Sequence, residues 1–545
     1  MFGKKTVINT RFKSVFIASM ASMIGAYILM LTDNVAAGQI VEDDAAAAMT
    51  LVAPIVYLLL FVSYLISCGL VMMVSYAQGR QDSAEINRLF SIGMILSVVL
   101  GIIFTIILVV GKTEILSAWK ILPHLMNYAS DYYIGVMLLP IPMFLSNFIY
   151  TLFIAQGREN VCVFATLVGF VINIILDIVL CKLIGILGIG LATLTGYVVS
   201  LIIQIYYLTG GRSELKFIRY FSLQKTLQGF FYSFYHSIDT LCLSILPLIL
   251  SSEMIEHFGE ENLIIVTIAI NLLTLIFAMY TGLIDCLQPM VCQYHAERNL
   301  HSVKKTVVLC LKVTAIVSLS MAALSMIFAN FLPILFNVDD ENIAESFAES
   351  MRYLLPFMVF LGDTITCANY YIYIKKLNYG AFIKLLILVI LPYISLQFEI
   401  ESINEFWFLI GASFLVAELI NLLITKIFYG GVLMIDEKIF NRQLSYDIDG
   451  NISELKNLTT NIDSDLMRLN VDKNIRDKII ASVEEIGIKI IEGNKKNIQL
   501  EISILADTAQ IILMIRDNGK PLEFPAEYKY TSSGDENCIV VGQRA

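Results

Sequence analysis

Apolar runs of about 20 residues recur along the first 430 positions of the chain. A helix needs a run of about this length to cross a hydrocarbon core about 30 Å thick. The eleventh run is the weakest, because it is short and contains Pro392. The pattern predicts an all-α polytopic membrane protein with twelve spans, near residues 15–37, 50–76, 90–110, 132–155, 162–183, 188–207, 230–250, 263–286, 307–335, 354–373, 381–396 and 406–429.

The overall composition agrees with a membrane protein. The 545 residues are 57% hydrophobic and only 15% charged, whereas an ordinary soluble chain is roughly 45–50% apolar and about 25% charged. The first apolar run is too long for a cleavable leader and is followed by further spans, so we expect it to remain. The nine cysteines are scattered without CxxC pairs, so neither a disulfide framework nor a metal site is expected.

Basic residues alternate between the predicted loops, and they accumulate on the cytoplasmic side of membrane proteins. The loops rich in Lys and Arg hold Lys4, Lys5, Arg11, Lys13, Arg80, Arg88, Arg158, Arg212, Lys216, Arg219, Lys225, Arg298, Lys304, Lys305, Lys375 and Lys376. The opposite loops hold fewer cations, among them Lys120, and three acidic segments at Glu42–Asp44, Gly259–Asn262 and Asp339–Asn342. We therefore expect a plasma-membrane protein with both termini in the cytoplasm.

The end of the second predicted span resembles the end of the eighth. Cys68, Met72, Tyr76 and Arg80 match Cys286, Met290, Tyr294 and Arg298 at a constant offset of 218 residues. Both segments end at loops of the same predicted side, so the repeats have parallel topology. The repeat predicts two six-helix lobes, residues 1–220 and 221–435, with a cavity between them.

Several segments of the apolar part resemble the multidrug and toxic compound extrusion (MATE) family. They are "LTDNVAAG", "LVAP", "AQGREN", "NIILDIVLCKLIGILGIGLAT" and "LQPMVCQY", in this order over residues 10–430. The resemblance implies an exporter of organic, often cationic, compounds that is driven by inward sodium or protons. Such a protein is a secondary transporter and not an enzyme, and it needs no cofactor besides the coupling ion.

Ionisable side chains inside a span are costly and are functional candidates by default. In the first lobe these are Asp33 and Asp177, and Asn173 lies four residues before Asp177, on the same helix face. Thr195 can add a hydroxyl oxygen, and such oxygens suit a hard cation or a coupled proton. In the family resemblance these four positions match the cation site of the N-terminal lobe. The alternative is that Asp33 caps a helix end and Asp177 pairs with Lys182.

The second lobe also carries intramembrane carboxylates, Asp239, Asp285 and Asp363, and His236 precedes Asp239 by one turn. These carboxylates are candidates for substrate or proton binding, and they equally suit hydrogen bonds between helices. The nearby tyrosines Tyr370, Tyr371 and Tyr373 suit cation binding or a belt at the membrane interface.

Charged residues become frequent from Asp436 onward, which predicts a cytoplasmic α/β domain over residues 436–545. "QLSYDI" alternates like a strand, and two helical patterns follow, at residues 452–469 and 475–492. "IQLEISIL" and "AQIILMIRD" predict a strand pair around the turn "ADT". The second of these strands runs into the glycine turn "DNGKP".

This order of elements resembles the histidine-kinase-like ATP-binding fold, in its anti-sigma-factor branch. The resemblance assigns nucleotide contacts to Glu485, Asp517 and Gly519. The position of the magnesium-binding Asn, four residues after Glu485, is Lys489, which cannot coordinate magnesium. The last glycine-rich loop and the elements after it are not found before Ala545, so we expect an incomplete domain that is not an active ATPase.

Three functions fit these patterns. The first is a cation-coupled exporter with a regulatory tail, and the intramembrane carboxylates favour it. The second is a membrane sensor whose tail binds a cytoplasmic protein, and the third is a flippase for lipid-linked saccharides, which needs a strongly cationic cavity. The chain contains no GxxxxGK[ST] loop, so an ATP-driven pump is not expected. The expected partners are an organic cation and the lipid bilayer, and not nucleic acid.

Overall fold

The structure is a computed structural model, and it describes residues 6–41, 43–118, 123–210, 215–259, 262–331, 341–494, 498–506, 510–525, 528–533 and 536–544. Over these ranges the chain forms a large helical body followed by a small domain with one antiparallel sheet. Lys4, Lys5, Lys120, Arg212 and parts of the three acidic segments used to predict orientation lie outside the described residues.

The first half of the helical body contains eight helices. They are α1 (Val7–Ala36), α2 (Asp43–Gly79), α3 (Ser83–Val110), α4 (Lys112–Ala118), α5 (Met126–Val136), α6 (Pro140–Ala155), α7 (Glu159–Ile184) and α8 (Leu187–Thr209). A π-helical turn, Ala37–Val41, follows α1.

The second half begins with α9 (Leu223–His236), α10 (Ile238–Phe258), α11 (Leu263–Ala296) and α12 (Leu300–Ile327). It continues with α13 (Glu341–Leu354), α14 (Met358–Tyr373), α15 (Leu377–Leu385), α16 (Leu391–Ser395) and α17 (Ile403–Tyr429). A π-helical turn, Leu386–Ile390, joins α15 to α16 and ends two residues before Pro392, in the run that was predicted to be the weakest span.

Within the described ranges, 10 helical segments are long and apolar enough to cross a membrane, or 11 if the bent pair α5–α6 is one span. This pair bends by 50°, and Pro140 begins α6, where a proline lacks the N–H that a continuous helix would use. The span predicted near residues 354–373 is α14, whose 16 residues rise only about 24 Å. The count of twelve spans therefore stays a prediction.

The ends of α2 and α11, which carry the sequence repeat, pack against each other. The Gln288 side-chain amide donates a hydrogen bond to the Cys68 carbonyl at 2.8 Å. Near the end of α2, a Cβ atom on Gly79 would lie 2.3 Å from the Gln293 carbonyl oxygen, so only glycine permits this approach. The two halves of the chain are thus in close contact at this end of the helical body.

In the C-terminal domain, the structure confirms the strands and helices that were predicted up to residue 517. It contains α18 (Glu437–Phe440), β1 (Gln443–Asp449), α19 (Ile452–Arg468), α20 (Lys473–Gly493), β2 (Gln499–Ala506), β3 (Gln510–Asp517), β4 (Lys529–Ser533) and β5 (Glu536–Arg544). The sheet order is β1-β2-β3-β5-β4, and all neighbouring pairs are antiparallel. The strand pair β4–β5 was not predicted from the sequence.

Helices α19 and α20 pack on one face of this sheet. The core between them contains Leu455 and Ile486 from the helices and Ile502 and Ile515 from the strands, all at most 1% exposed. Strand residues alternate between the two faces, so the residues next to these core positions lie on the other face, which contacts the helical body.

Candidate ion and substrate site

Helices α1 and α7 bring Asp33 and Asp177 together. Asp33 lies in the last turn of α1, and Asp177 lies in the middle of α7. The thiol of Cys181, one turn after Asp177, lies 3.6 Å from the Ala36 carbonyl oxygen and fixes α7 against the end of α1. The two carboxylates interact electrostatically.

Among the described residues, four oxygen atoms of this pair and of Asn173 have no hydrogen-bond donor from outside the carboxyl pair. Asp177 and Asn173 are 0% and 1% exposed. Within the described part of the chain, no hydrogen-bond partner from outside the carboxyl pair reaches Asp33 Oδ1, Asn173 Oδ1 or either Asp177 oxygen. Buried polar oxygens are normally satisfied, and hard cations prefer oxygen ligands. The arrangement therefore offers several acceptors to a cation or a proton.

Helix α8 lies close to α7 because two glycines face each other. A Cβ atom on Gly196 would lie 2.9 Å from the Gly169 carbonyl oxygen and 3.2 Å from the Asn173 Cβ atom. Thr195 is the residue before Gly196, and its hydroxyl donates to the Leu191 carbonyl at 2.8 Å. No hydrogen bond joins Thr195 to Asn173 or Asp177 among the described residues.

Lys182 does not neutralise Asp177. In the described ranges the structure contains no ion pair between these residues, and Lys182 is exposed. Two tyrosines that the sequence reasoning missed lie near this pair instead: Tyr132 on α5 lies near both carboxylates, and Tyr197 on α8 lies near Asp33. Nothing in the local sequence distinguishes them from other tyrosines of the spans.

Asp239 forms an ion pair within the second half of the chain. Its Oδ2 atom lies 3.0 Å from Nζ of Lys384, which is fully buried on α15. The ammonium group also donates to the carbonyl of His236, and the His236 ring contacts the Tyr373 hydroxyl at 3.2 Å. Asp239 thus links α10 to α15. This placement favours the interhelical alternative over substrate binding at Asp239.

Asp285 has a different environment. It lies on α11, near Tyr64 and Tyr150 of the first half and Tyr373 of the second half. No cation forms an ion pair with it among the described residues. Asp285 is therefore an acidic group among tyrosines from both halves of the chain.

Asp363 on α14 lies near Glu418 on α17, which the sequence reasoning did not select. Asp363 Oδ1 and Glu418 Oε2 are buried, and neither has a hydrogen-bond partner in the described part of the structure. The only signal for Glu418 was a lone carboxylate within an apolar run. The two residues form a second carboxylate pair.

The "DNG" turn of the C-terminal domain is closed by its own hydrogen bonds. Asp517 Oδ1 accepts from the Gly519 N–H at 2.8 Å and from the Asn537 amide at 2.9 Å. Burial raises the pKa of the Asp517 carboxyl, and these two hydrogen bonds lower it in part. A Cβ atom on Gly519 would meet the Asn494 side chain, so a larger residue here requires that side chain to move.

The other nucleotide candidates do not converge on this turn. Glu485 is exposed on α20, and among the described residues it makes no hydrogen bond to Asp517 or Gly519. Lys489 donates to the Glu523 carbonyl at 2.6 Å and lies 4.6 Å from the centre of the Phe524 ring. The position expected for a magnesium ligand is thus held by a cation with partners of its own.

Comparison with known proteins agrees with a multi-pass membrane transporter. The chain matches the MatE family over residues 18–179 and 237–394, more than half of its length. The chain belongs to the MatE family. Proteins of this family are secondary transporters and not enzymes, lie in the lipid bilayer and bind small organic substrates.

Three solved structures share the fold, each at 18% identity and a TM-score of 0.71, covering 78% of this chain and 96% of the other chain. They are a MATE transporter in complex with MaL6, a MOP superfamily transporter from Pyrococcus furiosus whose binding pocket is described as reversed in polarity, and an outward-facing multidrug resistance MATE transporter of the MOP superfamily. No curated protein sequence is significantly similar to the chain. The histidine-kinase-like resemblance of the C-terminal domain stays a prediction.

Proposed function

We propose that the protein is a sodium- or proton-coupled antiporter that exports organic cations. The carboxylate pair Asp33–Asp177, with the adjacent Asn173 oxygen, carries this proposal. Two neighbouring buried carboxylates repel each other when both are charged, so a sodium ion or a proton between them relieves the repulsion. Binding of the ion from outside then supplies the free energy that drives export.

Thr195 belongs to the proposed ion site although it does not contact the carboxylates directly. It lies beside Gly196, where α8 approaches α7 at Asn173. Its hydroxyl hydrogen is used by the Leu191 carbonyl, so its oxygen lone pairs remain available to a cation.

Asp285 is the proposed contact for a cationic substrate. It lies between the two halves, where transporters of this architecture place their substrates, and aromatic rings around it suit organic cations. Asp363 and Glu418 are proposed as a further proton or cation site of the second lobe. The buried lysine, Lys384, is paired with Asp239, so among the described residues it is not a free cation of the kind that a flippase for anionic lipid-linked saccharides would use.

We also propose twelve spans, with the C-terminal domain and the start of α1 in the cytoplasm. Arg11 at the start of α1 contacts Glu536 of the C-terminal domain, and this contact between the two ends of the chain supports an even number of crossings. Helix α12 begins beside Gln443, and Tyr370 near the end of α14 donates to the Leu433 carbonyl. The start of α12 and the end of α14 therefore lie at the same end of the helical body. Because α12 runs away from this end, the chain must return through α13–α14, which supports this segment as the additional crossing. The Lys and Arg bias assigns this end to the cytoplasm.

A transport assay in sealed vesicles tests the proposal. Sodium and proton gradients are imposed separately, without ATP, and the movement of a fluorescent organic cation is measured. We expect export with one of the two gradients and none with ATP alone. Transport that requires ATP, or that ignores both gradients, would contradict a secondary antiporter.

A further inference from the structure

The face of the sheet that is not covered by α19 and α20 is polar and buried against the helical body. Asp447, Glu501, Arg516 and Cys538 are direct cross-strand neighbours on this face. Glu501 and Arg516 are 0% exposed. A sheet face of this composition is suited to water, so its burial depends on specific partners in the helical body.

Arg516 is the centre of these contacts. Its guanidinium pairs with Glu297 at the end of α11, with Glu501 at 3.4 Å and with Glu536 at 3.0 Å. It also lies 4.7 Å from the centre of the Tyr294 ring. The guanidinium, which is carried by β3, thus joins strands β2, β3 and β5 of the C-terminal domain to the end of α11.

Further contacts reach the second half of the chain. Asn299 donates to the Ser503 hydroxyl at 3.1 Å, and Ser302 donates to the Glu501 carboxylate. Lys305 pairs with Asp447 at 2.6 Å at the edge of the interface. The turn between α11 and α12 and the start of α12 are therefore fixed to strands β1 and β2.

The same sheet face also contacts the first half of the chain. Arg11 on α1 pairs with Glu536, and Thr10 donates to the Gln499 side chain at 3.0 Å. The Gln81 amide, in the turn after α2, lies 3.9 Å from the Cys538 sulfur. The domain therefore bridges the two halves at the end where α2 and α11 meet.

Opening of the transporter toward this end is incompatible with the bridge. In alternating access the two lobes rock apart on one side of the membrane at a time. If the two halves separate at this end, Gly79 and Arg11 of the first half move away from Gln293 and Glu297 of the second half. One small rigid sheet cannot follow both lobes, so it must leave at least one of them.

From this geometry we infer that the C-terminal domain is an intramolecular latch, which holds the inner gate shut while its polar sheet face is docked across both lobes. This inference rests on the proposed function, because it assumes alternating access between the two halves. The charged face suits reversible docking, since interfaces between domains that separate are more polar than permanent ones. The undocked face can be solvated by water.

Cys538 provides a readout of docking that does not depend on transport. It is 5% exposed and lies on the docked face, and burial raises the pKa of its thiol to about 11, so it reacts slowly in the docked protein. Undocking exposes it to a water-soluble maleimide. The labelled peptide is identified by mass spectrometry in the full-length protein.

The release experiment uses the rim pair Lys305–Asp447, which lies outside the proposed ion and substrate sites. Asp447→Lys places two cations against each other, and like charges in contact at an interface cost enough to change an equilibrium by about tenfold or more. We expect Cys538 labelling at least about tenfold faster in this variant. The charge swap Lys305→Glu/Asp447→Lys should restore slow labelling. Equal labelling in all three proteins would overturn the docked arrangement.

The closing experiment fixes the latch covalently. Gln81→Cys, placed beside the native Cys538, is combined with Lys305→Cys/Asp447→Cys, so that a short bis-methanethiosulfonate reagent fixes the domain to both halves of the chain. A matched control, Asp465→Cys/Arg468→Cys, carries the same type of cross-link within α19. We expect loss of transport in the first protein, recovery after reduction and no loss in the control. Unchanged transport with the cross-link in place would overturn the latch. If the uncross-linked protein itself shows no gradient-driven transport, the antiporter proposal fails, whereas the Cys538 measurement still decides whether the domain docks.

Discussion

Gln288 and Cys68 lie on the two segments that share a sequence repeat, and the Gln288 amide donates a hydrogen bond to the Cys68 carbonyl. Repeats related by an axis along the membrane normal place equivalent segments opposite each other. The contact between α2 and α11 agrees with this arrangement. The proposed movement of the lobes therefore begins by breaking contacts between the repeated segments themselves.

Asp177→Asn should abolish gradient-driven export without loss of expression. The amide keeps the size of the side chain but removes the negative charge that a sodium ion or a proton needs. The measurement is uptake of a fluorescent cation into inside-out vesicles that contain equal amounts of each protein. Lys182→Gln is the matched control, because this lysine does not pair with Asp177. Normal export by the asparagine variant would refute the proposed ion site.

Lys384→Met should destabilise the protein in detergent, because it leaves the Asp239 carboxylate buried without its partner. Removal of one member of a buried ion pair costs about 3–5 kcal/mol, whereas replacement of both is close to neutral. The double variant Asp239→Asn/Lys384→Met should therefore melt closer to the unmodified protein than Lys384→Met does. Thermal unfolding monitored by intrinsic fluorescence measures both. A double variant that is less stable than either single one would contradict a structural role for the pair.

Docking of the C-terminal domain should weaken as the cytoplasmic pH rises through about 7. Burial raises the pKa of the Glu501 carboxyl to about 7, from an ordinary value of 4.5. The docked state thus holds a proton on Glu501 that the undocked state releases. The stabilisation of docking that this proton provides is fully present below the ordinary pKa of the carboxyl and is lost as the pH rises through its pKa in the docked state. The groups that face Glu501 are Ser302 and Lys305 of α12, Asp447 of β1, Arg516 of β3 with Glu297 beyond it, and Glu536 of β5.

The rate of Cys538 labelling measures this dependence, if it is normalised at each pH to the rate in denatured protein. The Glu501→Gln side chain remains neutral at every pH. Its normalised rate of Cys538 labelling should therefore stay constant between about pH 6 and about pH 8, the range over which a carboxyl with a pKa of about 7 titrates. A dependence that persists in the glutamine variant would assign the titration to another group.

A protein truncated after residue 435 should retain export. The carboxylate pairs lie within the helical body, and the C-terminal domain contributes no residue to them. Without the latch the inner gate opens more easily, so the rate should equal or exceed that of the full-length protein. Vesicle transport at matched protein amounts measures the effect. A folded but inactive truncated protein would show that the domain takes part in transport itself.

The full-length protein should not hydrolyse ATP, and it should bind nucleotide weakly and without magnesium dependence. Asp517 is already occupied by Asn537 and the Gly519 N–H, and Lys489 stands where a magnesium ligand is expected. Calorimetry with ATP, with and without magnesium, tests this, and Asp517→Ala is the control for binding at the turn. Tight magnesium-dependent binding would indicate a working nucleotide sensor.

Sequence patterns located most of the helices that are long and apolar enough to cross a membrane, because lipid imposes a simple length and polarity rule on each of them. They did not predict the bend between α5 and α6, since its effect depends on neighbours that support the broken helix at Pro140. Asp33 and Asp177 were found because a charge in an apolar run is conspicuous. Lys384 and Glu418 are also charged residues in apolar runs. Their roles became evident only from their partners on other helices, Asp239 and Asp363.

The polar sheet face shows the limit of local patterns more clearly. Alternation in "IQLEISIL" predicts one apolar and one polar face, and a polar face normally means exposure to water. Here Glu501 is buried because Ser302 and Arg516 supply its hydrogen-bonding partners. The partner surface is formed by helix ends about 200 residues earlier, and no window of the sequence contains both.

The contact between Arg11 and Glu536 joins positions separated by 525 residues. Contacts between such distant positions form late, because the intervening chain must first be ordered. During biosynthesis every span therefore enters the bilayer before the sheet can reach α1. In a newly made transporter the C-terminal domain is therefore not yet docked across the two halves. Its docking can occur only after all the preceding helices have inserted into the bilayer.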